Sequence, residues 1–130
     1  MTTFSVGFVT AGLRIDPSRF GESALGGSET ALICMARALA ANGQTVTVFC
    51  VLDGPQGQRD PVQPKVQYFH VNDFDQHLLI RDFDVMIVSR HIGYALKPIK
   101  AGTVWYWAHD IAPQGGFDDS AFLVDRMWFL

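Results

Sequence analysis

The sequence lacks the apolar runs and the leader that would place the chain in a membrane or in the secretory route. No apolar stretch approaches the roughly 20 residues that a transmembrane helix needs. The N-terminus, Met1-Thr2-Thr3-Phe4, carries no basic residue of the kind that begins a signal peptide. We therefore expect a cytoplasmic protein without a membrane span.

Clustered positive charge is also missing. Ten Lys and Arg residues stand against 13 Asp and Glu residues, which gives a formal net charge of −3, and the basic residues form no run. Proteins that bind DNA or RNA usually carry a basic patch that follows the phosphate backbone. We therefore expect no nucleic-acid partner.

Cysteine is scarce, and the pattern of the two present excludes a zinc motif. Cys34 falls within a helical pattern and Cys50 at the end of a strand pattern, with no CxxC and no His at ligand spacing. Free Cys usually behaves as a small apolar residue. The sequence thus predicts two buried thiols in a reducing compartment and no metal site.

Two nucleotide-binding motifs are absent as well. After the first strand, Gly12 stands alone and the next glycine is Gly21, so GxGxxG is missing. No GxxxxGK followed by Ser or Thr occurs, which excludes a P-loop. Asp53 follows the second predicted strand, where a ribose-binding acid would lie. A dinucleotide-binding protein therefore stays open as an alternative.

What the sequence does contain is the pattern of one α/β domain. Its 130 residues are 48% apolar, which suits a folded core. A strand at residues 4–9, a largely buried helix from Ser28 to Gly43 and a β-branched strand at 45–51 form a βαβ unit with parallel strands. Further strands are predicted at residues 66–71, 85–89, 102–108 and 126–130, helices at 73–82 and 117–125, and a surface loop at 53–64.

A glycine pair, Gly26-Gly27, stands directly before the first predicted helix. The loop that carries it, residues 10–27, is long for a simple connection, and such loops are often functional. A helix start presents unpaired N–H groups and the positive end of the helix dipole, and glycine lets a ligand approach them. We favour an anion-binding site here over close packing of helix on strand.

Ligands of an open parallel sheet bind beyond the carboxyl ends of its strands. The segments at those ends are Thr10 to Gly12, Ser89-Arg90-His91 and His109-Asp110. Each has an ordinary alternative role. His109 could be a hydrogen-bonded strand-end residue, Arg90 could form a surface ion pair, and Asp110 could cap the following turn. We expect them to converge with the glycine pair on one crevice.

The segment from Gly26 to Phe49 resembles the N-terminal signature of the family 4 retaining glycosyltransferases. Gly26-Gly27-Ser28-Glu29 matches the GG-x-E loop of that family, and residues 35–49 match its L-A-x-x-L helix and G-H-x-V-x-V strand. Gln44 stands where the family usually has His. Residues 84–89 and the strand ending in His109-Asp110 resemble its next two landmarks.

This resemblance implies a Rossmann-like, doubly wound and mostly parallel sheet with helices on both faces, the N-terminal half of a GT-B arrangement. That half binds the acceptor, and a second half binds the nucleotide. The glutamate pair that marks the second half has no counterpart before Leu130. We therefore expect residues 1–130 to be an acceptor-side domain, truncated at its C-terminal end, without the donor-binding domain and inactive alone.

The resemblance also implies a reaction and its partners. A sugar would pass from a nucleotide-sugar to a saccharide or lipid-linked acceptor with retained configuration and without an essential metal or other cofactor. Peripheral association with a membrane stays open, although no basic amphipathic docking helix is present. The alternatives are a Rossmann-type nucleotide or dinucleotide-binding protein and a complete, non-catalytic binding module.

Carried onto this chain, the resemblance assigns roles to Gly26, Gly27 and His109, and placement adds three further candidates. His109 is expected to contact the donor sugar at the reacting centre, as the catalytic residue. The substrate- and phosphate-binding candidates are Gly26, Gly27, Arg14, Arg90 and Asp110. The glycines are expected to face the diphosphate. Arg14 or Arg90 is expected to meet the acceptor, and both arginines rest on placement alone.

Overall fold

The computed structural model describes residues 3–12, 14–19, 27–108 and 125–129 of the chain. They contain one sheet and two α-helices, α1 (Gly27–Ala41) and α2 (Phe74–Leu78). The strands are β1 (Ser5–Val9), β2 (Thr45–Cys50), β3 (Gln58–Arg59), β4 (Val66–His70), β5 (Phe83–Ser89), β6 (Ala101–Ala108) and β7 (Arg126–Phe129).

The strand order of the sheet is β3-β4-β2-β1-β5-β6-β7. All neighbouring pairs are parallel except β3 and β4. If β3 is set aside, the chain adds strands outward from β1 on one side and then returns to add strands on the other. Rossmann-type sheets use the same order. The predicted α/β class and mostly parallel sheet are confirmed, and the sheet is compatible with a Rossmann-like fold.

The core lies in two clusters because successive strand residues point to opposite faces of the sheet. Val6 and Phe8 of β1 pack with Leu32 and Ile33 of α1. Val9, the next residue along β1, instead belongs to the cluster that contains the buried side chains of α2. Nearly continuous apolar strands such as β2 follow from this burial on both sides.

The first helix begins at Gly27, one residue before the predicted start, and the prediction that it is largely buried is wrong. Its buried stripe includes Ile33 and Ala36, whereas Cys34 is exposed. A helix that packs on a sheet from one side leaves its other side in solvent. The prediction of two buried thiols therefore holds only for Cys50, whose pKa burial raises to about 12.

The second predicted helix, residues 73–82, is also too long. A 3₁₀ helix, Val71–Asp73, leads into α2, which ends at Leu78. The helix does not continue because the Leu79 N–H turns back to the Gln76 carbonyl at 3.2 Å, and Leu79 and Ile80 are exposed, so that no apolar stripe extends it. β5 begins at Phe83, two residues earlier than predicted, and the Phe83 N–H donates to the Lys100 carbonyl at 2.8 Å.

The predicted surface loop at residues 53–64 contains a strand and a buried carboxylate. β3 pairs antiparallel with β4, and the Asp60 side chain is fully buried. It accepts hydrogen bonds from Arg37 Nε at 2.9 and 3.0 Å and from Tyr68 Oη at 2.7 Å. We call Arg37, Asp60 and Tyr68 the Asp60 cluster.

The last two predicted elements are a strand at residues 126–130 and a helix at residues 117–125. The strand predicted at residues 126–130 is present as β7. The helix predicted at 117–125 lies outside the described residues, apart from residue 125. None of the helices in the described ranges has the length and apolar character that crossing a bilayer requires.

Candidate functional site

The strand order reverses between β1 and β5, which lie side by side at the centre of the sheet. Beyond their carboxyl ends follow Thr10 to Gly12 and Arg90 to His91. Thr10 and Ser89, which flank this point, are both buried. We call the carboxyl ends of β1 and β5, together with the first turn of α1, the switch-point edge. Such a reversal is where open α/β sheets hold their ligands.

A buried ion pair ties the first turn of α1 to the end of β5. The Glu29 side chain is 2% exposed, and its Oε1 lies 3.4 Å from Nη1 of Arg90, whose side chain is 21% exposed. A carboxylate removed from water needs a cation or hydrogen-bond donors. The contact also establishes that α1 begins at the switch-point edge, as the glycine pair predicted.

Arg90 has an unusual backbone. Its φ is 66°, the one positive φ among the described non-glycine residues. The His91 N–H donates to the Ser89 carbonyl at 2.8 Å across it, which closes a three-residue turn. Positive φ is costly for a residue with a Cβ, and such strain concentrates at functional sites.

The neighbouring strand holds this strained turn in place. The Arg90 N–H donates to the Trp107 carbonyl at 3.1 Å, and the Arg90 carbonyl accepts from Tyr106 Oη at 2.6 Å. Both partners belong to β6. Arg90 is therefore fixed at its backbone by β6 and at its side chain by Glu29.

Gly12 is the third member of this arrangement. A Cβ placed on it would collide with Oε1 of Glu29 and would come 3.5 Å from Nη1 of Arg90. The backbone after β1 therefore runs directly against the buried carboxylate. Only glycine fits there without displacing Glu29.

Arg14 occupies a different part of the edge. Ile15, its neighbour, forms a bridge with Leu52 beyond β2, and the Ile15 N–H donates to the Val51 carbonyl at 2.9 Å. The Arg14 side chain is exposed and forms no ion pair with any described residue. The structure thus sets the two candidate arginines on opposite sides of β1.

The other candidates are described only in part. Gly27 is the first residue of α1, which begins at the switch-point edge. Gly26, His109 and Asp110 lie outside the described residues. Of the six residues singled out from the sequence, the structure therefore places Gly27 and Arg90 at one edge and Arg14 beside β2.

Glu29 is the functional candidate that sequence reasoning missed as a buried residue. Its position in the first turn of α1 by itself predicts only a favourable charge near the positive end of the helix dipole. The signal was available, because Glu29, Ile33, Ala36 and Ala40 follow one another at helical spacing, and the last three are apolar. A carboxylate on the apolar stripe of a helix is buried with a partner.

Two surface hollows lie near these elements. One, of about 150 Å³, is lined by His91, Gly93, Tyr94 and Lys97, next to the switch-point edge. The larger, of about 300 Å³, lies between α1 and the strands and is lined only by apolar side chains. The polar and charged groups that chemistry requires are at the switch-point edge and not in the larger hollow.

Within the described ranges, no three His, Cys, Asp or Glu side chains come together as a metal site. Compared with protein-family models, with curated proteins and with solved structures, the chain matches none. The function of the chain is therefore inferred from its own residues.

Proposed function

We propose that this chain is the acceptor-side, N-terminal domain of a retaining glycosyltransferase that uses a nucleotide-sugar donor. The GG-x-E resemblance suggests this class. The observation that carries the proposal is the meeting of Glu29, Arg90 and the start of α1 at the point where strand order reverses. A ligand crevice at this point is the general expectation for such sheets.

The charges at this edge suit the departing group of such a reaction. When the bond between sugar and nucleotide breaks, negative charge develops on the diphosphate. A helix start and a guanidinium both stabilise phosphate oxygens. Preorganised groups aimed at developing charge commonly supply the largest share of catalysis. Gly27 offers its backbone N–H there without a side chain in the way.

In this proposal the sheet is the doubly wound N-terminal half of a GT-B enzyme. A second Rossmann-like half, which binds the nucleotide, faces it across a cleft and supplies further basic residues. His109 contacts the donor sugar at the reacting centre, and Gly26 and Asp110 belong to the same wall. Residues 1–130 alone bind no donor productively and do not turn over.

Substitution of Gly27 by valine tests the proposal in the full-length protein. The branched side chain covers the N–H groups that meet the diphosphate, so we expect transfer to be lost while folding is kept. Release of nucleoside diphosphate from UDP-glucose, UDP-N-acetylglucosamine and GDP-mannose is measured with oligosaccharide and lipid-linked acceptors. Ala38→Val, at an exposed position near the other end of α1, is the matched control and should transfer normally.

The outcome also separates the alternatives. Full transfer by Gly27→Val would reduce the glycine to a packing role. The unaltered protein could also fail to transfer sugar from every donor while NAD quenches its tryptophan fluorescence with saturation. That result would favour a dinucleotide-binding protein over a transferase. Robust transfer by residues 1–130 alone would contradict the proposed second half.

A further inference from the structure

Glu29 is a buried acid that the proposed chemistry has not used. It lies in the first turn of α1, where a carboxylate opposes any anionic ligand that the helix start would attract. An apolar residue at position 29 would fill the buried face of α1 at a lower cost in folding free energy, because buried ion pairs seldom stabilise a fold more than apolar packing does. We therefore look for the role of the Glu29 carboxylate in its effect on Arg90.

Three restraints converge on Arg90. Its carbonyl accepts from Tyr106 Oη and its N–H donates to β6, so the strained turn cannot rotate freely. Its guanidinium meets Glu29 Oε1 at 3.4 Å. Gly12 keeps the space for that carboxylate, since a Cβ there would collide with it. β6 thus restrains the backbone of Arg90, and α1, with the space left by Gly12 after β1, restrains its side chain.

We propose that Glu29 is a positioning residue that holds the Arg90 guanidinium at the switch-point edge to contact the diphosphate of the donor. This inference rests on the proposed function and assigns Arg90 to the donor diphosphate rather than to the acceptor that Arg14 or Arg90 is expected to meet from the sequence. A guanidinium carries five N–H donors in a planar fork, and the Glu29 carboxylate fixes the orientation of that fork through the contact with Nη1. Its planar fork matches phosphate oxygens in a way that a flexible ammonium does not.

The first test measures the position of Arg90 without using activity. Phenylglyoxal modifies accessible arginines, and peptide mass spectrometry of the full-length protein follows its rate at Arg90. Glu29→Gln keeps the size of the side chain but removes the charge, so modification of Arg90 should become several-fold faster. Asp53→Asn, which removes an exposed carboxylate, should leave the Arg90 rate unchanged. Equal rates in Glu29→Gln and the unaltered protein would overturn the inference.

The second test asks whether Glu29 acts through Arg90. In transfer assays, Glu29→Gln should lower kcat/KM by about tenfold, within the range in which contacting residues couple. The loss should appear mainly in kcat, because the diphosphate charge develops in the transition state. In an Arg90→Gln background the same change should cost nothing further. Additive losses would show that Glu29 acts independently of Arg90 and would overturn the positioning role.

The two tests separate this inference from the proposed function. Faster modification of Arg90 without transfer by any form of the protein would support the ion-pair restraint and contradict the transferase. Transfer that is unaffected by Glu29→Gln, at an equal folded fraction by circular dichroism, would support the transferase and overturn the role of Glu29.

Discussion

Two buried carboxylates of this protein are each paired with an arginine, and they differ in every other respect. Asp60 lies beside β3, where Arg37 Nε reaches it at 2.9 Å and Tyr68 and two backbone amides also donate to it. Glu29 lies at the switch-point edge, where the contact with Arg90 is 3.4 Å long and the arginine stands on strained backbone.

The difference indicates that the Asp60–Arg37 pair stabilises the fold, whereas the Glu29–Arg90 pair positions a side chain at the switch-point edge. The Asp60 cluster joins α1 to the segment after β2, on ordinary backbone, away from the carboxyl ends of β1 and β5. The Glu29–Arg90 pair lies where the sheet reverses and depends on a glycine and a left-handed turn. Strain of this kind is retained where position matters more than stability.

The largest effect on stability should come from Asp60→Asn. It removes the buried charge to which Arg37 and Tyr68 donate, and losing one partner of a buried pair costs about 3 kcal/mol or more. The free energy of unfolding from urea titration measures the loss. Asp53→Asn, on an exposed side chain of the adjoining segment, is the control and should change stability by less than about 0.5 kcal/mol. Equal losses of stability in the two variants would contradict the role of the Asp60–Arg37 pair in holding the fold.

A smaller loss is expected from Gly12→Ala. The added Cβ displaces Glu29 from Arg90, and forcing an atom into a packed site costs about 1–3 kcal/mol. A double-mutant cycle locates the cause, because Gly12→Ala should cost far less once Glu29 is also alanine. A penalty that persists in the Glu29→Ala background would mean that the glycine is required for a reason other than the buried carboxylate.

The smallest effect is a dependence on pH. Burial alone would raise the pKa of Asp60, but hydrogen bonds from Tyr68, Arg37 and two backbone amides lower it below its usual value. The folded state therefore gains stability above the unfolded pKa of about 3.9 and loses it as pH falls through the folded pKa. Urea titrations from about pH 5 to 2 should show the stability difference between unaltered protein and Asp60→Asn shrinking with acid. A constant difference would contradict the lowered pKa.

The sequence was most informative where local pattern and tertiary structure agree. The strands of the central sheet are apolar on both faces, so their positions could be predicted to within two residues. The start of α1 could be predicted to within one residue from the glycine pair and the polar residues after it. These features depend on neighbours in the chain, which a single sequence contains.

The parts that could not be predicted depend on distant pairing. Asp60 stands in a segment rich in Gly and Pro, and only the pairing of β3 with β4 places it under Tyr68. Nothing local distinguishes it from Asp53, which is exposed. Arg90 could be placed at a strand end, but its turn and its partner on α1 arise from register between β1, β5 and β6.

The two-residue strand β3 has a consequence for the behaviour of the protein at high concentration. It covers the outer edge of β4, which would otherwise offer unpaired N–H and carbonyl groups to a strand from another molecule. Being so short, and bordered by Pro55 and Pro61, it offers little edge of its own. Asp60, which directly follows β3, holds this short strand in place. The buried carboxylate that stabilises the fold therefore also protects this edge of the sheet against edge-to-edge aggregation.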